Sequence, residues 1–334
     1  MSHLASVESR DAPASTTWTG RMGQAARRPS RILATLVALH AASPSWAVDS
    51  DLTVSAPALG STIVVRTSSR FDGAVYSLVF RNKEHIDSND HGRLLQSASS
   101  FDDLGECFNP TEGGSLLGSP KESTSVVEAA RVERNELWTR TDMGFWLNPG
   151  TPYPNGCGGN KARTRAVNTE FLSHHVLEKH ITVGMPGFPN VLHYEVAFHV
   201  PSAYRKATFE ALTGYMPKDF SRAIFFDVAR RAELDPGTRQ GEQRFPVILA
   251  TPDGAYAMGV YSPSIHQNHG AYGRFDFGSV KKWNCVFRMV DIKPQAYRFQ
   301  SYVVLGTVRE VEDTIVRLDA KFEPKPAAAA GSAP

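Results

Sequence analysis

The densest group of side chains that could do chemistry lies between Arg81 and Ser115, in the stretch RNKEHIDSNDHGRLLQSASSFDDLGECFNPTEGGS. Carboxylates, amides, an imidazole and a guanidinium occur there among turn formers, without the period of a helix or a strand. Such groups donate and accept the hydrogen bonds that a polar ligand offers. We interpret the stretch as a ligand-binding loop; the alternative is a surface loop whose polar groups cap one another. The candidate residues are His91 as a catalytic residue, and Asp90, Arg93, Gln96, Glu106, Asn109 and Glu112 as ligand-binding residues.

A second polar loop, SPSIHQNHGAYGRFDF, runs from Ser262 to Phe277. The short spacing of its histidines resembles that of metal ligands, but no carboxylate stands close before them and Gly270 favours a loop. We therefore expect no metal and no cofactor, and contact with a sugar instead. The candidates are His266 as a catalytic residue, and Asn268, His269, Tyr272 and Arg274 as ligand-binding residues. Arg93 and Arg274 could also hold a uronic-acid carboxylate through paired hydrogen bonds.

Three further polar side chains lie in the segment NVLHYEVAFHV. His193, Glu195 and His199 are spaced by even numbers, so in a regular strand they share one face. A histidine beside a carboxylate on a concave sheet is a candidate proton-transfer pair, and His193 is the third candidate catalytic residue. The alternative, which the pattern favours, is the polar outer face of a half-buried strand.

The elements that must position these residues are predicted to be strands. Segments rich in Val, Ile, Thr and aromatic residues recur between Gly, Pro and Asn, and helical periodicity is weak, for example around Phe226 to Leu234. Many strands without intervening helices predict an all-β fold, a large antiparallel β-sandwich of the supersandwich type. Thr307 and Glu310 form a capping box that begins one short C-terminal helix. The predicted strands are 61–67, 74–80, 123–132, 136–143, 176–183, 190–200, 207–216, 246–251, 256–262, 283–290 and 296–306.

The N-terminal segment is interpreted as a signal peptide spanning 1–47. Arg27, Arg28 and Arg31 precede the apolar run ILATLVALHAA, and small residues precede a cleavage point after Ala47. The basic region is long if translation begins at Met1 and of ordinary length if it begins at Met22. The apolar run is too short for a stable membrane anchor. We expect a periplasmic or extracellular protein with a sandwich domain over 48–306, a helix over 307–322 and a disordered tail over 323–334.

Charge and cysteine content limit the partners. Of 36 basic and 34 acidic side chains, five arginines and two acids precede Val48, which leaves 31 basic and 32 acidic. No basic stripe remains, so we expect no nucleic-acid partner. Three cysteines permit one disulfide and one free thiol in an exported protein. Cys107 and Cys157 lie in adaptable loops and Cys285 in a predicted strand, which favours Cys285 as a buried thiol but leaves the pairing open.

Two parts of the sequence resemble the galactose-mutarotase-like β-supersandwich proteins. They are DGAVYSLVFRNKEHIDSNDHGRLLQ near the start, and ATPDGAYAMGVYSP with KWNCVFR and YRFQSYVVLG near the end; the resemblance covers roughly Leu52 to Gly306. It implies a sandwich with a carbohydrate-facing concave sheet. Epimerases of that family use a histidine acid and a late glutamate base; Glu310 and Glu312 fall in the predicted helix, so no glutamate matches.

Three functions follow as alternatives. The first is an exported carbohydrate-active enzyme of epimerase or polysaccharide-lyase type, and the second is a glycan-binding protein without catalysis. The third is a structural envelope protein. A saccharide or polysaccharide is the expected partner in the first two, and the oligomeric state is left open. If the two polar loops converge, Asp90, His91, Arg93, Glu112, His266 and His269 should line one cleft.

Overall fold

Alternating buried and exposed side chains along the chain produce long antiparallel strands. The computed structural model describes residues 48–115, 123–267 and 270–322, with only the backbone at 266 and 267. In these ranges the strands, in chain order, are β1 (Thr53–Ala58), β2 (Ser61–Thr67), β3 (Val75–Phe80), β4 (Lys83–Glu84), β5 (Leu95–Phe101), β6 (Pro110–Thr111), β7 (Val126–Glu133), β8 (Glu136–Phe145), β9 (Leu172–Met185), β10 (Phe188–Val200), β11 (Tyr204–Pro217), β12 (Arg222–Asp227), β13 (Ala232–Leu234), β14 (Gly241–Gln243), β15 (Val247–Ala250), β16 (Ala257–Tyr261), β17 (Gly270–Asp276), β18 (Val280–Ile292) and β19 (Gln295–Gly306). The α-helices are α1 (Ser264–Gln267) and α2 (Val308–Phe322), and two 3₁₀ turns span Ser69–Phe71 and Gly105–Phe108.

Hydrogen bonding arranges these strands in two layers. The first layer, which we call the site sheet, has the order β7-β8-β9-β10-β19-β16-β15-β12-β13. The second has the order β1-β2-β3-β5-β11-β18-β17-β14, with β4 beside β3. The short β6 pairs with both β5 and β8 and joins the layers. The all-β sandwich prediction is confirmed.

The core lies between the two layers. Strand β9 shows how the sequence builds it: Leu177, Ile181 and Val183 alternate with polar residues and point inward. Phe209 and Phe287 of the other layer are buried in the same apolar cluster. Because side chains alternate along a strand, the residues between these inward positions form a separate outer face. That outer face of the site sheet carries the features considered below.

Helix α2 covers one part of the outer face of the site sheet. Val311, Ile315 and Leu318 form its apolar stripe and are buried against Tyr302 and Val304 of β19. The predicted capping box is present: Thr307 N–H donates to Glu310 Oε2 (2.7 Å) and Glu310 N–H donates to Thr307 Oγ1 (3.2 Å). This helix confirms the predicted C-terminal element. No helix within the described ranges is long and apolar enough to cross a lipid bilayer.

Several segments differ from their predictions, including β1, which was not predicted, and α1 and β17, which lie inside the second stretch interpreted as a loop. Strand β5, LQSASSF, lies inside the stretch interpreted as a loop, because its serines are buried and it pairs with β11. The weak helical pattern at Phe226 to Leu234 is a strand pair, β12 and β13.

The cysteines fall into the two classes that the sequence allowed. Cys107 and Cys157 form a disulfide with a Cα–Cα distance of 5.4 Å. It ties the turn after β5 to the long connection between β8 and β9. Cys285 is a buried free thiol on β18.

Candidate functional site

The first polar stretch uses its side chains for internal contacts. Asp90 Oδ1 accepts hydrogen bonds from the N–H groups of Gly92 (2.9 Å) and Arg93 (3.1 Å), and its other oxygen lies 2.9 Å from Arg93 Nε. His91 is buried, and its Nδ1 donates to the Gly113 carbonyl (2.9 Å) while its ring packs edge-on to Phe71. These contacts fix the backbone of the connection between β4 and β5.

Gln96 and Asn109 fasten neighbouring backbone segments. The Gln96 amide donates to the Gly92 carbonyl (2.9 Å) and accepts from Gly113 N–H (2.8 Å), and the side chain is buried. Asn109 donates to the Ser99 carbonyl (2.8 Å). Glu106 is exposed on the 3₁₀ turn.

Glu112 lies in the interior rather than in a cleft. Its carboxylate pairs with Lys179 Nζ, and both side chains have 0% exposure. Ser97 N–H donates to the second carboxylate oxygen (3.1 Å). Burial raises the pKa of Glu112 above its ordinary value, although the Lys179 ammonium acts in the opposite direction. A residue closed to water in this way does not contact a soluble ligand.

The candidate residues of the second polar loop have different surroundings in the structure. Tyr272 is buried, and its hydroxyl accepts from Ser262 N–H (2.9 Å). Arg274 is also buried; it donates to the Arg239 carbonyl (3.1 Å) and faces Asp276 (3.4 Å). Tyr272 is therefore closed to a ligand, whereas Arg274 also lines a separate cavity of about 450 Å³ together with Arg222 and Glu233. The His266 backbone belongs to α1, and Asn268 and His269 lie outside the described residues.

An open cleft lies on the outer face of the site sheet. Its volume is about 870 Å³ and strands β7, β8, β9, β10 and β19 form its floor, with Ser264 of α1 at its rim. Of the predicted catalytic residues, His193 lies on the same face at the edge of this cleft. Its ring stacks on Tyr302 (4.7 Å between centroids) and its Nδ1 lies 3.8 Å from Glu195 Oε2. Burial lowers the pKa of His193, against the raising effect of Glu195.

One row of planar side chains crosses the cleft from strand to strand. The register places five residues directly opposite one another on consecutive strands, and we call them the planar row: Arg131, Trp138, His180, Glu195 and Gln300. The Arg131 guanidinium lies 4.8 Å from the Trp138 ring centroid, and the His180 ring stacks on Trp138 at 3.5 Å. His180 Nδ1 then contacts Glu195 Oε2 at 3.1 Å. Cross-strand contacts therefore link the first four residues of the row in sequence, from Arg131 to Glu195.

A second row provides paired charges beside the first. Arg140 donates to Glu128 and to Glu178, at 2.6 Å in each case, and His199 Nε2 lies 3.1 Å from Glu178. Burial alone would raise the pKa of Glu178, but His199 and Arg140 outweigh it and hold the pKa below its ordinary value. Ala129 and Ala197 complete this row with small side chains, which leaves room above the sheet.

Sequence reasoning missed most of this cleft but had one signal for it. The even spacing of His193, Glu195 and His199 correctly put them on one outer face. Trp138, His180 and Gln300 become neighbours only through the register of strands distant in sequence. Among the described residues, no group of three or more His, Cys, Asp or Glu is arranged to hold a metal ion.

Comparison with known proteins gives only distant similarities. No protein-family model and no curated protein matches the chain. Similar solved structures include an α-mannosidase from Enterococcus faecalis V583 (TM-score 0.44, 10% identity, covering 76% of this chain and 30% of the mannosidase chain). Others are a heparan sulfate lyase from Pedobacter heparinus (TM-score 0.39, 8% identity, 79% and 37%) and a Synechocystis protein (TM-score 0.39, 10% identity, 79% and 98%). At such low identity and TM-score these similarities assign no function.

Proposed function

We propose that this protein binds a saccharide in the cleft on the outer face of the site sheet. The observation that carries the proposal is the planar row, in which guanidinium, indole, imidazole, carboxylate and amide groups stand side by side across five strands. A sugar ring carries hydroxyls on all sides and needs donors and acceptors from several elements at once. The row and the Arg140–Glu178 pair supply both kinds of group.

The position of the cleft also supports a saccharide ligand. The cleft is open to solvent and its lining comes from five neighbouring strands, so it can admit a chain of sugars. Its volume of about 870 Å³ is within the range of ligand sites and exceeds what one ring fills. The site belongs to a rigid sheet rather than to loops, which lowers the entropy cost of binding. Membership of the galactose-mutarotase-like family is part of this proposal.

For catalysis, the proposal names His180 and Glu195 as the proton-transfer pair. Epimerisation and polysaccharide elimination both need one group that gives a proton and one that takes it. His180 Nδ1 and Glu195 Oε2 are 3.1 Å apart and both residues line the cleft. The other ring nitrogen of His180 lies 3.3 Å from Glu136 Oε2, and the substrate would take the place of that carboxylate. His193, the candidate from the sequence, lies next to Glu195 and its ring stacks on Tyr302.

We also propose that the protein is exported and works outside the cytoplasm. The Cys107–Cys157 disulfide supports this, because disulfides persist in oxidising compartments. The cleavage point after Ala47 lies outside the described residues and stays a prediction.

Screening the exported protein against soluble polysaccharides, by affinity electrophoresis, tests the proposed site. Trp138→Ala should weaken binding to any polysaccharide retained by the wild-type protein by about tenfold or more, because the planar row loses its central support. The bound polymer is then incubated with wild-type protein and with His180→Gln, and new reducing ends or unsaturated products are measured. If the protein is an enzyme, His180→Gln should bind the polymer and fail to convert it.

The matched control is Phe277→Ala, since Phe277 is an aromatic residue that is 58% exposed and lies outside the cleft. It should bind as the wild type does. Equal loss of binding in Trp138→Ala and Phe277→Ala would contradict the proposed site. Full binding by Trp138→Ala with an unchanged circular dichroism spectrum would also contradict it.

A further inference from the structure

We infer that the saccharide is acidic and that its anionic groups are held by Arg131 and Arg298 at opposite sides of the cleft. The inference rests on the proposed function and names the class of saccharide. Both arginines are exposed and line the cleft, Arg131 on β7 and Arg298 on β19. Neither guanidinium lies within ion-pair distance of a carboxylate in the described part of the chain.

The nearby carboxylates are already engaged. Glu178 contacts Arg140 and His199, and Glu195 contacts His180. Glu128 is bound by Arg140, and Glu136 faces the second nitrogen of His180 at 3.3 Å. Carboxylates of the protein thus neutralise Arg140, the central arginine, whereas they do not neutralise Arg131 and Arg298. A guanidinium prefers a planar partner with two oxygens, which a carboxylate or a sulfate ester provides.

The charges of the groups that reach the cleft surface agree with an anionic ligand. Three arginines and two glutamates line it, apart from Lys179, which is fully buried and paired with Glu112. From Val48 onward the chain carries 31 basic and 32 acidic side chains, a formal net charge of −1, so general attraction to polyanions is absent. Preference for an acidic saccharide should therefore depend on these two positions.

The separation of the two arginines favours a polymer over a single sugar. They lie four strand spacings apart, which is about 19 Å across a flat sheet. Arg131 faces Trp138 in the planar row, and Arg298 faces Ala197 in the row beside it. One monosaccharide cannot reach both. A chain with an anionic group on successive units, lying across the strands, can reach both.

The test measures affinity for polymers that differ only in charge. Polygalacturonate and alginate are each compared with their carboxyl-reduced forms, and dextran sulfate is compared with dextran. We expect the wild-type protein to prefer at least one charged polymer over its neutral counterpart, and added salt to weaken that binding. Arg131→Gln and Arg298→Gln should each lower the affinity by about tenfold or more. Preference for dextran sulfate alone would identify a sulfate ester as the anionic group.

Arg163→Gln is the matched control, because Arg163 is an exposed arginine in the connection between β8 and β9 and does not line the cleft. It should bind as the wild type does. Equal binding of charged and neutral polymers, sensitive to Trp138→Ala but not to the arginine substitutions, would overturn the acidic preference and keep the saccharide site. The acidic preference would also be overturned if Arg163→Gln weakened the binding of charged polymers as much as the other two variants do. It would likewise be overturned if no charged polymer bound. If polymer binding were unchanged by Trp138→Ala as well as by the arginine substitutions, the proposed saccharide site itself would be overturned.

Discussion

Glu112 and Lys179 form an ion pair that water does not reach. Both side chains have 0% exposure, and Lys179 Nζ also donates to the Gly73 carbonyl. Removing two charges from water costs several kcal/mol per ion, which their attraction and additional hydrogen bonds offset only when the geometry is good. The pair joins β9 of the site sheet to the segment after β6, so it connects the two layers at one point.

Removing one partner of this pair should cost far more than removing both. Glu112→Gln leaves a buried ammonium without a counterion, and we expect it to lower the free energy of unfolding by about 3–5 kcal/mol. Lys179→Met should also destabilise, and the double variant should lose less than the sum. A double-mutant cycle measured by urea denaturation gives the coupling. Additivity within about 0.5 kcal/mol would show that the two groups act independently.

The roles of these two residues could be predicted only in part. Glu112 stands among turn formers, and nothing near it in the sequence distinguishes a buried carboxylate from an exposed one. Lys179 carried the better signal, because it occupies an inward position between Leu177 and Ile181 in an alternating strand. An inward lysine requires an acidic partner, but the sequence does not say which acid the other layer supplies.

Helix α2 approaches β16 closely because Gly259 has no side chain. A Cβ at Gly259 would lie 2.6 Å from Val311 Cγ1 and 3.1 Å from Ile315 Cδ1, closer than packed carbons allow. We expect Gly259→Ala to push the helix outward and to lower the free energy of unfolding by about 1–3 kcal/mol. Thermal or urea unfolding of the variant measures this.

A second substitution distinguishes displacement of helix α2 from a direct effect on strand β16. Val311→Ala removes the methyl groups that the new Cβ would meet. The Gly259→Ala/Val311→Ala protein should therefore lose less stability than the two single variants predict together. Strict additivity would mean that Gly259 matters for the strand and not for helix packing.

Most strands were predicted where apolar and polar residues alternate, although the short alternating β1 was not. Strand β2 matches its prediction at both ends, as STIVVRT has the required composition. Strand β5 was missed because buried serines look polar in sequence. The cleft was missed for another reason: Arg131, Trp138 and Gln300 meet only once the strand order and register are known. Spacing along one strand revealed His193 and Glu195, but spacing cannot reveal neighbours on other strands.

At the level of the whole molecule, the disulfide restrains the longest connection within the site sheet. Cys107 and Cys157 are 50 residues apart, and the bond lowers the conformational entropy of the unfolded chain. Replacing both with serine should lower the free energy of unfolding by about 2–4 kcal/mol. Urea denaturation without reductant measures the loss, and wild-type protein under reductant should approach the variant. An unchanged midpoint in both would contradict this expectation.

The third cysteine, Cys285, is the internal reference when free thiols are counted in that experiment. Cys285 is fully buried, and burial raises the pKa of its thiol to about 12. A thiol reagent should therefore detect almost no reactive cysteine in the folded oxidised protein and one per chain after unfolding. Three per chain after unfolding would show that the disulfide had not formed.

The helix and the cleft share one face of one sheet, and this arrangement has an evolutionary consequence. Phe322, at the end of α2, stacks on Tyr302 (5.0 Å), and Tyr302 stacks in turn on His193 beside Glu195. The end of the helix is thus two aromatic rings away from the cleft, while few core contacts depend on it. Selection can therefore change the length or the side chains of the helix end and so shift the Tyr302 and His193 rings beside the binding surface, while the strands that fold the protein stay as they are.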